Sequence, residues 1–217
     1  MRNPHLTAGF WRGVNVNQNA VYMECFMDEL AEAAGQDPLA FRMKLLKPKW
    51  AAVLKAACDK AGYGKPLPAG HFHGISQVMG YGSYVAGVAE VSVSPEGVLK
   101  VHKITAATDP GYVVNPAQVE RQIAGSFVYG LSAALYGEIT VKDGAVEQTN
   151  FDSYNVMRMD EMPKVESALV PSGGFWGGVG EPTIAVAAPA VLNGIYKATG
   201  KRVRELPLMH QELKKGA

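Results

Sequence analysis

The chain has 217 residues, of which 47% are hydrophobic and 19% are charged, and its formal net charge is +1. A chain of this length forms one domain or two small ones, with ample apolar residues for a core. Its near-neutral charge excludes a broad basic surface, so we expect neither nucleic acid nor an acidic lipid surface as a partner. The sequence contains no apolar run of about 18 residues that could span a bilayer. The first ten residues lack the basic start and apolar stretch of a targeting signal.

Cys25 and Cys58 are the only cysteines, and both fall in helical patterns. Two buried thiols are the expected arrangement. An iron–sulfur cluster takes four cysteine ligands, so this chain cannot hold one by itself.

Three helices are predicted in residues 1–65, after a loop at 1–17 that is rich in Gly, Asn and aromatic residues. Apolar residues recur at helical spacing from Asn17 to Ala34. Asp37-Pro38 begins the second helix, because Asp is a good N-cap and Pro suits the first helical position. The third helix is predicted over Trp50–Ala61.

The pattern becomes strand-like after a Gly- and Pro-rich linker at 62–70. The pattern from His71 to Asp109 is strand-like, with alternation over His71–Gln77 and valines recurring over Val85–Val93, and a turn at Ser94–Gly97 predicts a β-hairpin. Asn115-Pro116 then begins a long amphipathic helix that extends to about residue 136.

The last third of the chain mixes strands and helices. A second hairpin is predicted around Lys142-Asp143-Gly144, and a strand over Lys164–Val170. A Gly-rich loop at 172–181 leads into a buried helix that starts at Pro182, and a final short strand is predicted over Val203–Leu208.

Helices first, then strands mixed with helices, predict an α+β fold with N-terminal helices followed by hairpins and a mixed sheet with packed helices. We divide it into a helical segment, 1–65, and an α+β domain, 66–217.

Glu181 stands at the end of the Gly-rich loop, at or just before a helix N-terminus. Two interpretations are open from spacing alone. The carboxylate either stabilises the helix start through its dipole or acts as a general base in a Gly-lined, aromatic cleft. A dinucleotide site is disfavoured, because Gly178-Val179-Gly180 is followed by Glu181 and lacks the third Gly of that fingerprint.

Three histidines could in principle ligate a metal, namely His71 and His73 on one strand with His102 nearby. The favoured interpretation is an ordinary strand face, so no metal ligand is assigned.

Three blocks of the sequence resemble the molybdenum hydroxylases, the relatives of xanthine dehydrogenase and aldehyde oxidase. In chain order the blocks are Gly9–Val14 with Gln18–Glu24, then Asp109 with Asn115-Pro116 and Gln122–Leu131, and finally Gly178–Pro182. The first resembles the family's aromatic-Arg-Gly segment, the second its D…NP…Q-x-x-G block, and the third its catalytic G-x-G-E-P.

A further run, Phe26–Ala31 with Gly35–Pro38, resembles a signature of the isoquinoline 1-oxidoreductase type of beta subunit. The resemblance spans nearly the whole chain. It implies the C-terminal part of a molybdopterin-binding large subunit, and the family's Gly-Gln-Gly segment does not occur in this sequence.

The resemblance also implies the roles of individual residues. Glu181 would be the catalytic base, and Val14 would face the substrate. The cofactor-binding residues would be Trp11, Arg12, Gly13, Gln122, Gly178, Val179 and Gly180.

The implied activity is molybdenum-dependent hydroxylation of an electron-poor carbon, in an N-heterocycle or an aldehyde, with water as the oxygen source. The implied cofactor is molybdopterin, in its cytosine dinucleotide form, held largely by a complementary half of the molybdenum subunit. A separate iron–sulfur subunit would carry 2Fe–2S clusters. The alternative is a non-catalytic structural or interaction domain that keeps the fold without the cofactor. The bacterial cytoplasm, and the periplasm through co-export with a partner, both stay open.

Overall fold

The computed structural model describes residues 9–215, so the first part of the loop predicted at 1–17 lies outside the described residues. The helices are α1 (Val16–Ala33), α2 (Pro38–Met43), α3 (Pro48–Ala61), α4 (Pro116–Tyr136) and α5 (Ala187–Thr199). The strands are β1 (His71–Gly80), β2 (Ser83–Val93), β3 (Leu99–Asp109), β4 (Val141–Lys142), β5 (Ala145–Val146) and β6 (Lys164–Leu169). Short 3-10 turns cover Met159–Glu161, Pro182–Val186 and Leu208–His210.

The main sheet has four strands in the order β1-β2-β3-β6. The first three strands are antiparallel neighbours, and β6 pairs with β3 in parallel. The β1–β2 turn consists of Tyr81 and Gly82, both with positive φ, 54° and 79°. A two-residue turn with positive φ at both positions has a backbone twist that matches the right-handed twist of the flanking strands.

Helices cover both faces of this sheet. Side chains alternate along β2, so Val85 and Ala89 join the core beneath α4 and α5, whereas Ala86 and Val88 join the core beneath α3. This alternation explains the nearly continuous apolar run of β2, since a strand buried on both faces needs apolar residues at every position.

Two glycines let α5 lie directly on β1 and against β2. A Cβ atom on Gly74 would be 2.1 Å from the carbonyl oxygen of Ala190 and 2.2 Å from the amide nitrogen of Gly194. A Cβ on Gly194 would in turn be 2.7 Å from Cγ2 of Val91. The backbones of α5 and β1 are therefore closer together than a side chain at position 74 would permit.

A buried network of charged side chains connects helix α1 to Arg42 of α2 and to Arg202. Glu24, Asp28 and Arg42 are all buried, and Nε of Arg42 lies 3.3 Å from Oε2 of Glu24. Nη1 of Arg202 donates to Oδ2 of Asp28 at 2.7 Å. Burial raises the pKa of the Glu24 carboxyl, although the Arg42 charge opposes the shift.

Side chains of α1 and α5 also bind the outer edge of β1. The amide of Gln77 donates to Oε2 of Glu24 at 2.9 Å. Nδ2 of Asn193 donates to the carbonyl oxygen of Ile75 at 3.0 Å. Both edge groups thereby acquire partners within the chain.

The predicted α+β class is confirmed, as are the three N-terminal helices, the cap at Asn115 and the hairpin around Asp143-Gly144. The strand predicted over Val203–Leu208 is wrong. Arg202 and Arg204 on either side of its start pair with carboxylates of α1, so this segment lies along a helix instead of at a sheet edge. The division at residue 65 stays a prediction.

Within residues 9–215, no helix is both long enough and apolar enough to cross a membrane.

Both cysteines are free and buried. Desolvation raises the pKa of Cys25 and of Cys58 to about 12. We expect neither thiol to react with a disulfide reagent such as DTNB at pH 8 in the folded chain, because only about one thiol in 10,000 is then a thiolate. Both should react in guanidinium chloride. Rapid release of a thionitrobenzoate equivalent from the native chain would contradict this expectation.

We expect Gly74→Ala to lower the free energy of unfolding by about 3 kcal/mol, since the added methyl overlaps the α5 backbone. Gly125→Ala is the matched control, because a Cβ at that position of α4 meets open space. It should raise stability by about 0.5–1 kcal/mol through helix propensity. Urea unfolding followed by circular dichroism measures both, and equal effects would contradict the close approach of α5 to β1.

Candidate active site

Arg12 joins three segments that are far apart in the sequence. Its Nε donates to the carbonyl oxygen of Gly180 at 2.6 Å, and Nη2 donates to the same oxygen. Nη2 also donates to Oε1 of Gln122 at 3.0 Å and to Oγ of Ser126 at 3.1 Å. One guanidinium therefore holds the N-terminal turn, helix α4 and the Gly-rich loop in contact, as its planar set of donors allows.

Glu181 is held by the residue after this arginine. The amide of Gly13 donates to Oε1 of Glu181 at 3.0 Å. Gly13 has a φ of 92°, and a Cβ there would be 2.4 Å from Oδ1 of Asn17. Nδ2 of Asn17 donates to the Arg12 carbonyl oxygen at 2.8 Å. Glycine is thus required at position 13 for the turn that positions the carboxylate.

Val14, the predicted substrate contact, follows directly and has a φ of 46°. A β-branched residue is rarely found in this left-handed region, so the conformation is strained. Such strain persists only where the surrounding structure enforces it. Here the Val14 amide donates to the Trp11 carbonyl oxygen at 2.8 Å and closes the turn.

Trp11 packs on helix α4 beside these contacts. Its indole stacks on the Tyr129 ring, with centroids 4.8 Å apart. Tyr129 and Ser126 were missed by the sequence analysis. Ser126 lies four residues after Gln122 and Tyr129 seven residues after it, so both share its face of α4. That spacing was the signal that could have identified them.

Hydrogen bonds fix the Gly-rich loop on the ends of neighbouring strands. The amide of Gly178 donates to the Tyr81 carbonyl oxygen at 2.8 Å, and Oγ of Ser83 donates to the Gly178 carbonyl oxygen at 2.6 Å. The buried carboxylate of Asp109 accepts from the amides of Gly111 and Ser172. Gly178 therefore has a structural role in the loop, whatever its predicted contact with a cofactor.

Tyr81, at the β1–β2 turn, is a further neighbour of the carboxylate that the sequence analysis missed. Partial desolvation and the Glu181 charge together raise the pKa of its phenol. The Tyr81-Gly82 pair between two strands was a turn signal that could have placed it here.

The exposed donors at this site fit a cofactor rich in oxygen and nitrogen acceptors. Arginine only donates, so its contact requires the Gln122 amide to present its oxygen to Arg12 and its NH₂ group elsewhere. The amides of Val179 and Gly180 donate to no acceptor in the part of the chain that the structure describes. This donor set suits the heteroatoms of a molybdopterin.

The histidines take other partners. The rings of His71 and His102 stack with centroids 3.9 Å apart, and His73 stacks on Tyr63. Nδ1 of His71 lies 2.7 Å from Oε1 of Glu90. Among residues 9–215, no group of three or more His, Cys, Asp or Glu side chains is arranged to hold a metal.

Two grooves along α1 are not lined by the carboxylate. A groove of about 800 Å³ runs between α1 and the segment from Val203 to Leu206, and one of about 290 Å³ lies behind Trp11. Neither Glu181 nor Gln122 lines them. Glu181 itself is half-buried.

Known proteins share this sequence pattern. The family model of the molybdopterin cofactor-binding domain matches residues 12–163. The chain is 31% identical to isoquinoline 1-oxidoreductase subunit beta of Brevundimonas diminuta, over 92% of this chain and 26% of that protein. It is 29% identical to a membrane-bound aldehyde dehydrogenase [pyrroloquinoline-quinone] of Gluconacetobacter polyoxogenes, over 96% of this chain and 30% of that protein. The chain thus spans less than a third of the length of these relatives.

The fold is also similar to a solved structure. The aldehyde oxidoreductase from Desulfovibrio gigas superposes with a TM-score of 0.73 over 91% of this chain and 40% of that chain, at 17% identity. This likeness confirms the predicted fold class. The match of the family model over most of the sequence confirms the predicted resemblance. The chain belongs to the molybdopterin cofactor-binding domain family.

Proposed function

We propose that this chain supplies the general base and part of the cofactor-binding surface of a molybdenum hydroxylase. The reaction adds oxygen from water to an electron-poor carbon of an N-heterocycle or an aldehyde. The observation that carries the proposal is the set of contacts made by Arg12 and Gly13, which bring Glu181, Gln122 and the turn at Gly13 together. These are the residues that the family resemblance selects.

A bound molybdopterin would supply the Lewis acidity and the two-electron redox chemistry of the reaction. Gln122 would donate its amide NH₂ to that cofactor. The amides of Val179 and Gly180 would donate as well, and the Trp11–Gly13 turn would lie against it. Gly178 would contribute through the shape of the loop.

Glu181 would hold the proton that leaves the attacking oxygen. Its Oε1 accepts from the Gly13 amide, and Oε2 would take the proton. A positioned carboxylate of this kind increases rates by about 10²- to 10⁴-fold as a general base. Val14 lies next to Gly13 and is therefore placed to contact the substrate.

The partners of the proposal are the rest of a molybdenum subunit, an iron–sulfur subunit with 2Fe–2S clusters, and a small-molecule substrate. The relatives' matching regions form less than a third of their lengths, and one relative is named as a subunit beta. These facts support a complementary half that completes the cofactor site. The cofactor of the proposal is molybdopterin in its cytosine dinucleotide form. We also propose that residues 1–65 and 66–217 are the two units of this part.

One observation favours the alternative of a non-catalytic domain. The Gly13–Glu181 hydrogen bond accounts for the position of the carboxylate as a purely structural contact. Molybdenum content distinguishes the catalytic function from the non-catalytic one. A non-catalytic domain contains no molybdenum, whichever co-expressed partner it is purified with.

We expect Glu181→Gln to lower kcat by about 10³-fold in the assembled enzyme, because the amide keeps the contact with Gly13 but cannot accept the proton. Molybdenum and pterin content should be unchanged. Glu212→Gln, an exposed change near the C-terminus, is the control and should leave kcat as it is. Activity of the Glu181 variant within threefold of the unmodified enzyme would remove Glu181 from the base role.

Gln122→Glu tests the cofactor contact. The new carboxylate keeps the partner of Arg12 but replaces the NH₂ donor with an acceptor, so we expect at least a tenfold loss of molybdenum per chain with unimpaired folding. Gln118→Glu makes the same change one turn earlier on α4, at an exposed position. Metal analysis and pterin fluorescence measure both variants. Equal molybdenum content in the two would contradict a cofactor contact at Gln122.

A further inference from the structure

Helix α1 buries carboxylates and leaves large apolar side chains in water. Glu24 and Asp28 are buried on one face, whereas Tyr22 is 71%, Met23 58% and Phe26 54% exposed. This is the reverse of an ordinary amphipathic helix, whose apolar face packs on the core. A row of exposed apolar side chains on one helix indicates an interaction surface.

The exposed face borders a concave surface that reaches the candidate active site. It forms one wall of the groove of about 800 Å³, and the segment from Val203 to Leu206 forms the other. The groove of about 290 Å³ shares Gln18, Val21 and Leu206 with the larger one and extends to Trp11. The two grooves therefore adjoin, and we call them together the α1 cleft.

The cleft offers no free charge to a partner. Among the described residues that line it, only Arg204 is charged, and its guanidinium donates to both carboxylate oxygens of Glu29. A charged partner group would lose its water here without gaining a counter-charge. An anionic membrane surface would require unpaired basic side chains, which this lining does not provide. The cleft therefore fits a neutral, apolar partner.

An unpaired acceptor lies at the inner end of the cleft. Asn17 lines the smaller groove beside Trp11, and its Oδ1 is buried without a hydrogen-bond partner in the part of the chain that the structure describes. Its Nδ2 is already held by the Arg12 carbonyl oxygen at 2.8 Å. A buried acceptor without a donor is costly, so a group that covers this end should bring an N–H or O–H.

We infer that the α1 cleft binds an apolar segment of the complementary half of the molybdenum subunit, with an N–H or O–H donor of that segment at Asn17. The inference rests on the proposed function. More than two-thirds of the length of each reported relative lies outside its match to this chain. The turn at Trp11 and Arg12 belongs both to the cleft end and to the candidate cofactor site, so a half that completes the site reaches the cleft.

The test co-expresses the full chain with the part of the Brevundimonas diminuta subunit beta that this chain does not match. We expect a 1:1 complex, and sedimentation equilibrium of the purified complex gives its Kd. Phe26→Glu on one wall and Leu206→Glu on the other should each raise the Kd about tenfold or more, because each places an unpaired charge in the apolar contact.

Phe151→Glu is the matched control. It makes the same change at a ring that is 68% exposed and does not line the cleft, so the Kd should stay within twofold of the unmodified value. Circular dichroism of each variant chain alone checks that its fold is retained.

Three results would overturn the inference. The first is that the unmodified chain forms no complex, or that all three variants bind equally well. The second is a dimer of the chain alone that Phe26→Glu dissociates, since a second copy then occupies the cleft. The third is sedimentation of the chain with phosphatidylcholine vesicles that Phe26→Glu abolishes, which assigns the cleft to a membrane surface.

Molybdenum content and turnover of the complex separate the two proposals. If the complex depends on Phe26 and Leu206 but contains no molybdenum, the proposed function fails and the docking surface stands. If the complex hydroxylates a substrate and both cleft variants leave the Kd unchanged, the docking surface fails and the proposed function stands.

Discussion

The site depends on one guanidinium. Arg12 satisfies the Gly180 carbonyl oxygen and at the same time orients the Gln122 amide, so the loop and helix α4 cannot shift independently. Lysine could not replace it, because a single ammonium lacks the planar fork that reaches several acceptors at once. The position of the Glu181 carboxylate is then set by Gly13, the residue after Arg12, because the carboxylate accepts a hydrogen bond from the Gly13 amide.

The elements of the fold could largely be predicted from local signals. Asp37-Pro38 and Asn115 cap helices as their chemistry requires, and the alternation of His71–Asp109 gives strands. The actual structure of Val203–Leu208, which was predicted as a final strand, could not be derived from local signals. Its apolar pattern suits a strand, but the ion pairs of Arg202 and Arg204 with α1 are tertiary contacts that no local pattern encodes.

The same limit applies to the site. Composition and spacing placed Glu181 at a helix start and left its role open, and only the family resemblance linked it to Arg12 and Gln122. The hydrogen bond between Gly13 and Glu181 joins residues 168 positions apart, and local rules contain no information at that distance. Helical periodicity could have identified Ser126 and Tyr129, whereas the position of Tyr81 depends on the path of the β1–β2 turn.

The bonds on the outer edge of β1 have a consequence for solubility. An edge strand of ten residues with free N–H and C=O groups is a template for pairing with another chain. Glu24 is hydrogen-bonded to the Gln77 amide and Asn193 to the Ile75 carbonyl oxygen, so neither backbone group is available to pair with an incoming strand. A chain with a net charge of only +1 has little electrostatic repulsion to keep copies apart. These two polar side chains therefore act as a barrier to edge-to-edge aggregation.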